Sequence, residues 1–463
     1  MKKITKIVAL LLFVILSCGS IAGCSGSSDS DGNNVTTVTV WSGNGHDKVF
    51  MKNMVEKYNK SVGKEKGIKI DYIVKEGGNL SQMLELAFTT DQAPDLFAGA
   101  SISKYSEEGY IIALEDVPGG KELVEKYKDH LLAGRQVYKG KTYGLPRSTS
   151  TQGLIYNKDM FRAAGLVDEN GEPTPPKTLD ELVEYAKILT NNEKREYGIV
   201  FPGKWSYWFA SDMNQGAAVD CGFIDGYNPA TGKYDYSGLL PIAEAYLKIK
   251  KNGSCFPGSE SLENDPARAR FAEGGIGMKY SFSFDVGVLT DQFPAKCDWG
   301  VAPLPVADEN NRYMQACSSG IYLAINKNSI ETKNADKIME VFKWFHSDEL
   351  LREAYKYGLE IPLDFDIVKD IDSSTLPNGW KEFAELAEIS KPTVAPMPYD
   401  LSGNKGLDEI WMEVWAGKVT LDEFKQILKD YGDLVNEGVK KYQELQPDFD
   451  PELYIFKDWN AKI

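Results

Sequence analysis

Apolar and polar positions alternate along Thr36-Thr37-Val38-Thr39-Val40-Trp41, and the run ends in Ser42-Gly43-Asn44-Gly45-His46-Asp47. A β-branched run of period two followed by a glycine-rich stretch predicts a strand, a loop and a helix start, with Asp47 or a neighbour as cap. Val49, Met54, Val55 and Tyr58 then follow helical spacing, and residues 67–74 return to strand alternation. A second helix over Leu80 to Thr90 leads into a short strand over Ala93 to Ala98, so the chain reads βαβ and continues as an α/β fold. Leu179, Leu182, Val183, Ala186 and Leu189 mark a helix over Thr178 to Asn191, with Pro175-Pro176 before it as start punctuation. Further helices are predicted over 239–251, 334–346, 350–357 and 421–442, and strands over 198–201, 275–280 and 320–326. Ligands of open α/β sheets sit beyond the carboxyl ends of strands, which directs attention to the loops after Trp41 and Phe97.

The N-terminus has a different pattern. Lys2, Lys3 and Lys6 precede an apolar run from Ile7 to Leu16, followed by Ile21-Ala22-Gly23-Cys24. The run is about half the roughly 20 residues that span a bilayer, which favours a secretory signal over a membrane anchor. Small residues before Cys24 fit a peptidase groove, and the Cys24 thiolate is placed to take a diacylglycerol. Residues 1–23 therefore read as a lipoprotein signal and Cys24 as the lipidated first residue of the mature chain. Ser25 to Asn34 contain no apolar residue, so 24–34 read as a lipidated flexible tether to the outer face of a bacterial cell membrane.

The 463 residues, 42% of them hydrophobic, are enough for more than one core, and two lobes are the natural division. The net charge is −16, and loss of residues 1–23 removes three lysines and no acids. Nucleic acid and anionic lipid both need a basic surface, so neither is an expected partner. Cys221, Cys255, Cys297 and Cys317 lack a CxxC spacing, which argues against zinc and leaves both disulfides and buried thiols open.

Catalytic signatures are missing. None of the three histidines, His46, His130 and His346, opens an HExxH, and no GxSxG occurs. Gly134 to Thr142 imitates a phosphate loop but holds five residues between its glycines, which misplaces the lysine. The acidic turn Asp168 to Glu172 lacks the alternating ligands of a calcium loop. No cofactor or metal is expected. A dispersed carboxylate pair for glycoside hydrolysis is compatible with 68 acidic residues, although most of these fall on charged helix faces.

Aromatic residues beside polar groups are the remaining feature. Trp41 precedes Asn44 and His46; Trp205, Tyr207 and Trp208 follow the strand ending near Phe201 in what reads as a loop; Phe282 and Phe284 alternate with serines. Sugar faces pack on aromatic rings, while their hydroxyls need groups that both donate and accept.

Five strings in order resemble the extracellular solute-binding proteins (family 1) of ABC sugar importers: GKTYGLPRSTSTQGLIYNKD (Gly140 to Asp159), PPKTLDELVEYAKILT (Pro175 to Thr190), ARARFAEGGIGMKYS (Ala267 to Ser281), WGVAPLP (Trp299 to Pro305) and SSGIYLAIN (Ser318 to Asn326). The resemblance implies a two-lobe, type II periplasmic-binding-protein-like α/β fold with the ligand in the cleft between lobes. Lobe one would comprise residues 35–146 and 305–345, and lobe two residues 147–304 and 346–463. It further implies a monomer that captures a carbohydrate, an oligosaccharide by expectation, through lobe closure, delivers it to the permease subunits and has no enzymatic role. Trp41, Asn44, His46, Ser101 and Tyr105 would reach the ligand from lobe one, and Thr149 and Ser150 from the crossover. Trp205, Tyr207, Trp208 and Phe282 would supply lobe-two aromatics; Ser318, Ser319, Tyr357 and Tyr399 complete the candidates. Maltodextrin binders of the family carry a tryptophan in a GPW-type motif where Ser281-Phe282-Ser283-Phe284 stands here, so that specificity is not carried over.

Arg147 and Lys104 would receive an acidic saccharide; Arg147 reads equally as a structural ion pair across the hinge. The alternatives are a surface-anchored carbohydrate hydrolase, the same fold with a polyamine or other non-sugar ligand, and an anchored structural protein.

Overall fold

The computed structural model describes residues 35–75, 80–317, 322–392, 394–396, 401, 403–446 and 448–459. Cys24, Ser318, Ser319 and Tyr399 lie outside the described residues, as do the signal and the tether.

Two four-stranded sheets organise the chain. In the first, Thr36–Ser42 runs parallel to Ile68–Val74 on one side and to Leu96–Phe97 on the other, and Ala324–Ile325 closes the far edge antiparallel to Leu96–Phe97. Val38 and Val40 are fully buried, which is the outcome of the alternation along this strand. They pack with Phe50, Met51 and Val55 of the helix Lys48–Lys60 and with Ile338, Phe342 and Phe345 of the helix Ala335–Phe345.

The second sheet has Gln152–Asn157 between Trp299–Ala302 and Ile276–Phe282, both antiparallel to it, with Tyr197–Ile199 parallel at the edge beyond Ile276–Phe282. Every residue of Gln152–Asn157 is buried, because helices cover both faces. Leu154 and Tyr156 point into a core with Leu182, Phe209, Ile242 and Trp411; Ile155 points into another with Phe271, Trp380 and Phe383. Gly198 lets helix Leu179–Ile188 lie close on this sheet: a Cβ there would sit 2.0 Å from the Ala186 carbonyl. That helix starts with a capping box between Thr178 and Glu181.

Two short ladders join the halves of the chain. Ser148–Thr149 pairs antiparallel with Ile361–Pro362, and Gln315–Cys317 pairs parallel with Ser390–Pro392.

The helix Ser206–Cys221 replaces the loop expected after Phe201. Trp205 is its N-cap residue, and Tyr207 and Trp208 fall in its first turn. Its sequence hides it, because Asp212 is buried along with Phe209 and Met213 and no apolar stripe emerges. All four described cysteines are free thiols. Among the described residues no helix is long and apolar enough to cross a membrane.

The second-lobe core should be sensitive to volume. Leu182→Ala is expected to cost about 2–5 kcal/mol, read as a lower urea midpoint, whereas exposed Val49→Ala should change stability by less than about 0.5 kcal/mol.

Candidate functional site

The loop after the first central strand delivers His46 across to the second sheet. Phe282 ends the strand Ile276–Phe282, and its ring stacks on Phe284 with centroids 5.2 Å apart and planes 9° apart. Phe284 in turn stacks on the His46 imidazole at 4.4 Å and 21°. The result is a column of three rings reaching from one sheet to the loop of the other. Gln292 fastens it by donating from Nε2 to the His46 carbonyl at 2.9 Å. Burial, with Arg268 nearby as a second cause, lowers the His46 pKa to about 4, so the imidazole is neutral at physiological pH.

Beside the column, Asn44 donates its backbone N–H to Ser42 Oγ at 3.1 Å and its amide to Asp47 Oδ2 at 3.4 Å. Asp47 is buried, and its Oδ1 makes no hydrogen bond. Burial first, and the Glu360 carboxylate second, raise its pKa to about 7; Arg147 works in the opposite direction.

Arg147 sits at the hinge. Its Nε donates to Glu360 Oε2 at 2.8 Å, Nη2 donates to Oε1 of the same carboxylate, and Nη1 donates to the Phe345 carbonyl. The Tyr322 ring lies 3.3 Å from the guanidinium carbon. Burial disfavours the charge, but Glu360 outweighs it and holds the guanidinium above its usual range. Arg147 is therefore the structural ion pair of its two readings, with its charge committed to the fold. Lys104 is likewise engaged, by Glu85.

A second polar network supports the column from within. Arg268 Nε donates to Asp285 Oδ1 at 2.9 Å, and Lys279 Nζ lies 3.6 Å from Asp285 Oδ2 while donating to the Tyr280 carbonyl at 2.8 Å. Gln152 Nε2 donates to Asp212 Oδ1 at 2.7 Å, and Gln315 Nε2 donates to the Gln152 carbonyl at 2.6 Å. Burial raises the Asp212 pKa to about 7.

The sequence candidates separate into several groups. Asn44, His46 and Phe282 come together, joined by Phe284, which the sequence marked only as an aromatic alternating with serines, and by Gln292, which carried no sequence signal. Ser150 is half-buried at the crossover, and Ser101 is exposed as the N-cap of Ile102–Glu107. Trp205 is 39% exposed with Lys204 Nζ 5.4 Å from its ring, and Tyr207 is also exposed. The side chain of Trp208 lies outside the described part. Trp41 is half-buried, its ring covered by Lys75 Nζ at 4.1 Å. Tyr357 packs on Phe50 at 5.3 Å and hydrogen-bonds Asp291.

Two candidates are corrected. Tyr105 is 1% exposed and packs among Phe88, Phe97 and Tyr110, so its ring belongs to the core. Thr149 is buried in the ladder with Ile361–Pro362, beside Cys317. Tyr105 lies on the helix Ile102–Glu107 and Thr149 on the strand Ser148–Thr149, and sequence position does not reveal how deeply either is buried.

Two α/β lobes, joined by crossing strands with a cleft between them, define the type II periplasmic-binding-protein fold. The chain belongs to the bacterial extracellular solute-binding protein family, whose pattern it matches over residues 42–350. It is 25% identical over 395 residues to the maltotriose-binding protein of Pyrococcus abyssi, covering 81% of this chain and 75% of that one. It is 23% identical over 277 residues to a binding protein of Brucella abortus, covering 56% of this chain and 64% of the relative, just under two thirds of its length. The GacH receptor of Streptomyces glaucescens, solved unliganded and with acarbose, shares the fold with a TM-score of 0.68 at 19% identity, over 90% of this chain and all of that one.

Two variants test the hinge. Glu360→Ala leaves a buried guanidinium unpaired and should destabilise by about 3–5 kcal/mol in urea unfolding. Folded Asp47 holds its proton to about pH 7, whereas the unfolded carboxyl loses it near 3.8, so native stability from this group falls as pH rises between those values. Asp47→Asn removes that fall. Its stability relative to the native chain should therefore improve from pH 4 to pH 8 in paired unfolding curves, while the His46 contribution is common to both proteins and cancels.

Proposed function

We propose that this protein is the substrate-binding component of an ABC importer, that its ligand is an oligosaccharide, and that it works without turnover. The observation that carries the reading is the Phe282, Phe284, His46 column, which joins the loop after the strand Thr36–Ser42 to the end of the strand Ile276–Phe282 through aromatic rings. Exposed Trp205 and Tyr207 add aromatic surface from lobe two, and Asn44 and Ser150 add groups that donate and accept. A pyranose fits this mixture: its C–H faces pack on rings and its hydroxyls take up the polar groups. Names of relatives point the same way, maltotriose for one and acarbose for another.

In this reading residues 35–146 and 305–345 form lobe one, and 147–304 with 346–463 form lobe two. A ligand touching both lobes favours the closed arrangement by the contacts that only that arrangement makes. The closed body then presents the sugar to permease subunits at the outer face of the membrane, where a lipid on Cys24 holds it as a monomer. Capture of this kind needs no nucleophile, general acid or metal.

Titration calorimetry of the full chain against neutral saccharides, uronic acids and polyamines tests the proposal. Saturable one-to-one binding of a saccharide class is expected, with recovery of intact sugar after long incubation. Trp205→Ala should weaken it by about tenfold, the equivalent of roughly 1.4 kcal/mol. Binding of a polyamine alone would overturn the sugar reading, and sustained heat after saturation would overturn the reading without turnover.

A further inference from the structure

A cavity of about 740 Å³ opens between the first lobe and the C-terminal segment of the chain. On one side stand Ser103 and Tyr138; on the other stand Tyr442, Phe449 and Tyr454. Ser103 belongs to the helix that starts at Ser101, in the loop following the strand Leu96–Phe97. The neighbouring parallel strand Thr36–Ser42 leads at the same edge into the loop of Asn44 and His46. The cavity therefore shares the ligand-facing end of the first sheet.

Its walls are built rather than incidental. Phe449 packs on Tyr442 with ring centroids 5.0 Å apart and on Tyr454 at 5.5 Å. The segment carrying them is pinned to the second lobe: Tyr227 donates its hydroxyl to the Tyr454 carbonyl at 2.9 Å, Phe456 N donates to the Pro229 carbonyl at 2.9 Å, and buried Trp459 donates its indole N–H to the Gly222 carbonyl. Opposite, the Tyr138 hydroxyl bonds Glu107, which fixes that ring. The two sides meet at the rim, where Gly134 has φ +76° and a Cβ would lie 2.2 Å from the Tyr454 hydroxyl oxygen. Only glycine permits that approach.

The lining is aromatic and mixed polar, with Lys139 as its one cation and Asp448 and Asp450 as its carboxylates. Lys139 Nζ is engaged by Glu107 at 3.3 Å, and Asp450 accepts from the Glu452 N–H at 3.0 Å. An anionic ligand finds the lysine already engaged and two carboxylates opposing it, whereas a neutral polyhydroxyl ligand finds ring faces flanked by hydrogen-bonding groups. The volume lies within the roughly 300–1,000 Å³ usual for small-molecule sites.

We propose that this cavity takes the distal rings of a saccharide whose first rings lie at the His46 and Phe282 column, so that the C-terminal segment reads chain length and the protein prefers oligosaccharides to mono- and disaccharides. The inference rests on the saccharide reading of the cleft. Calorimetry of the full chain with a neutral oligosaccharide ladder, one to six rings, in the saccharide series that binds tests it. Affinity should rise by about tenfold beyond the disaccharide. Phe449→Ala should abolish that rise and leave mono- and disaccharide affinity unchanged; Tyr138→Ala does the same from the opposite wall, should the first variant fold poorly. Affinity independent of length, or an equal loss for short and long sugars in a folded variant, overturns the length-reading role and leaves the saccharide reading standing. Failure of the native chain to bind any saccharide overturns both.

Discussion

A guanidinium and a carboxylate buried between crossing strands hold this molecule together at its hinge. Taking Arg147 and Glu360 out of water costs several kcal/mol per ion, and the cost is tolerable only when close pairing and further hydrogen bonds offset it. Here both carboxylate oxygens accept from the guanidinium, a third donor reaches the Phe345 carbonyl, and Tyr322 covers the face. The pair lies beside the ladder of Ser148–Thr149 with Ile361–Pro362, so it fixes the register of two crossing segments far apart in sequence. Asp47 feels the same field. The Glu360 charge adds to burial in keeping the Asp47 carboxyl protonated at the start of the helix that follows the Asn44 and His46 loop.

The second lobe uses a related device for a different purpose. Arg268, Asp285 and Lys279 form a buried network at the end of the strand Ile276–Phe282, and Asp285 follows directly on Phe284. Arg268 and Lys279 hold the Asp285 carboxyl below its ordinary range despite its burial, so this charge stays in place and orients the turn carrying both phenyl rings. Gln152 and Asp212 tie the same sheet to the helix that Trp205 caps. Two half-buried phenyl rings and the exposed Trp205 are thus mounted on buried polar supports, which lock orientation more narrowly than apolar packing alone.

Regular periodicity made much of this legible in sequence. The helix 239–251 appears where its pattern places it, and strands 36–42 and 68–74 follow from alternation because each has one clear inward face. The helix Ser206–Cys221 was not legible, since burying Asp212 beside Phe209 erases the stripe that period-reading needs. Side-chain burial was not legible either: Tyr105 and Thr149 are buried while Trp205 stays exposed. Glu360 carried no sequence signal, because its meaning depends on Arg147, more than two hundred residues away.

The contrast between hinge and column bears on how a captured ligand would control the lobes. The hinge pair is buried, doubly bonded and costly to break. Among the described residues His46 makes one ring stack, on Phe284, and its carbonyl accepts one hydrogen bond, from Gln292, each worth on the order of 1 kcal/mol net. A neutral imidazole keeps the stack free of a desolvated charge next to Arg268, which is why the low pKa of His46 suits its position. In general a ligand decides between two arrangements when its contacts differ between them by a few kcal/mol. Of the two, the doubly bonded Arg147–Glu360 pair is the costlier to break and the His46 column the cheaper.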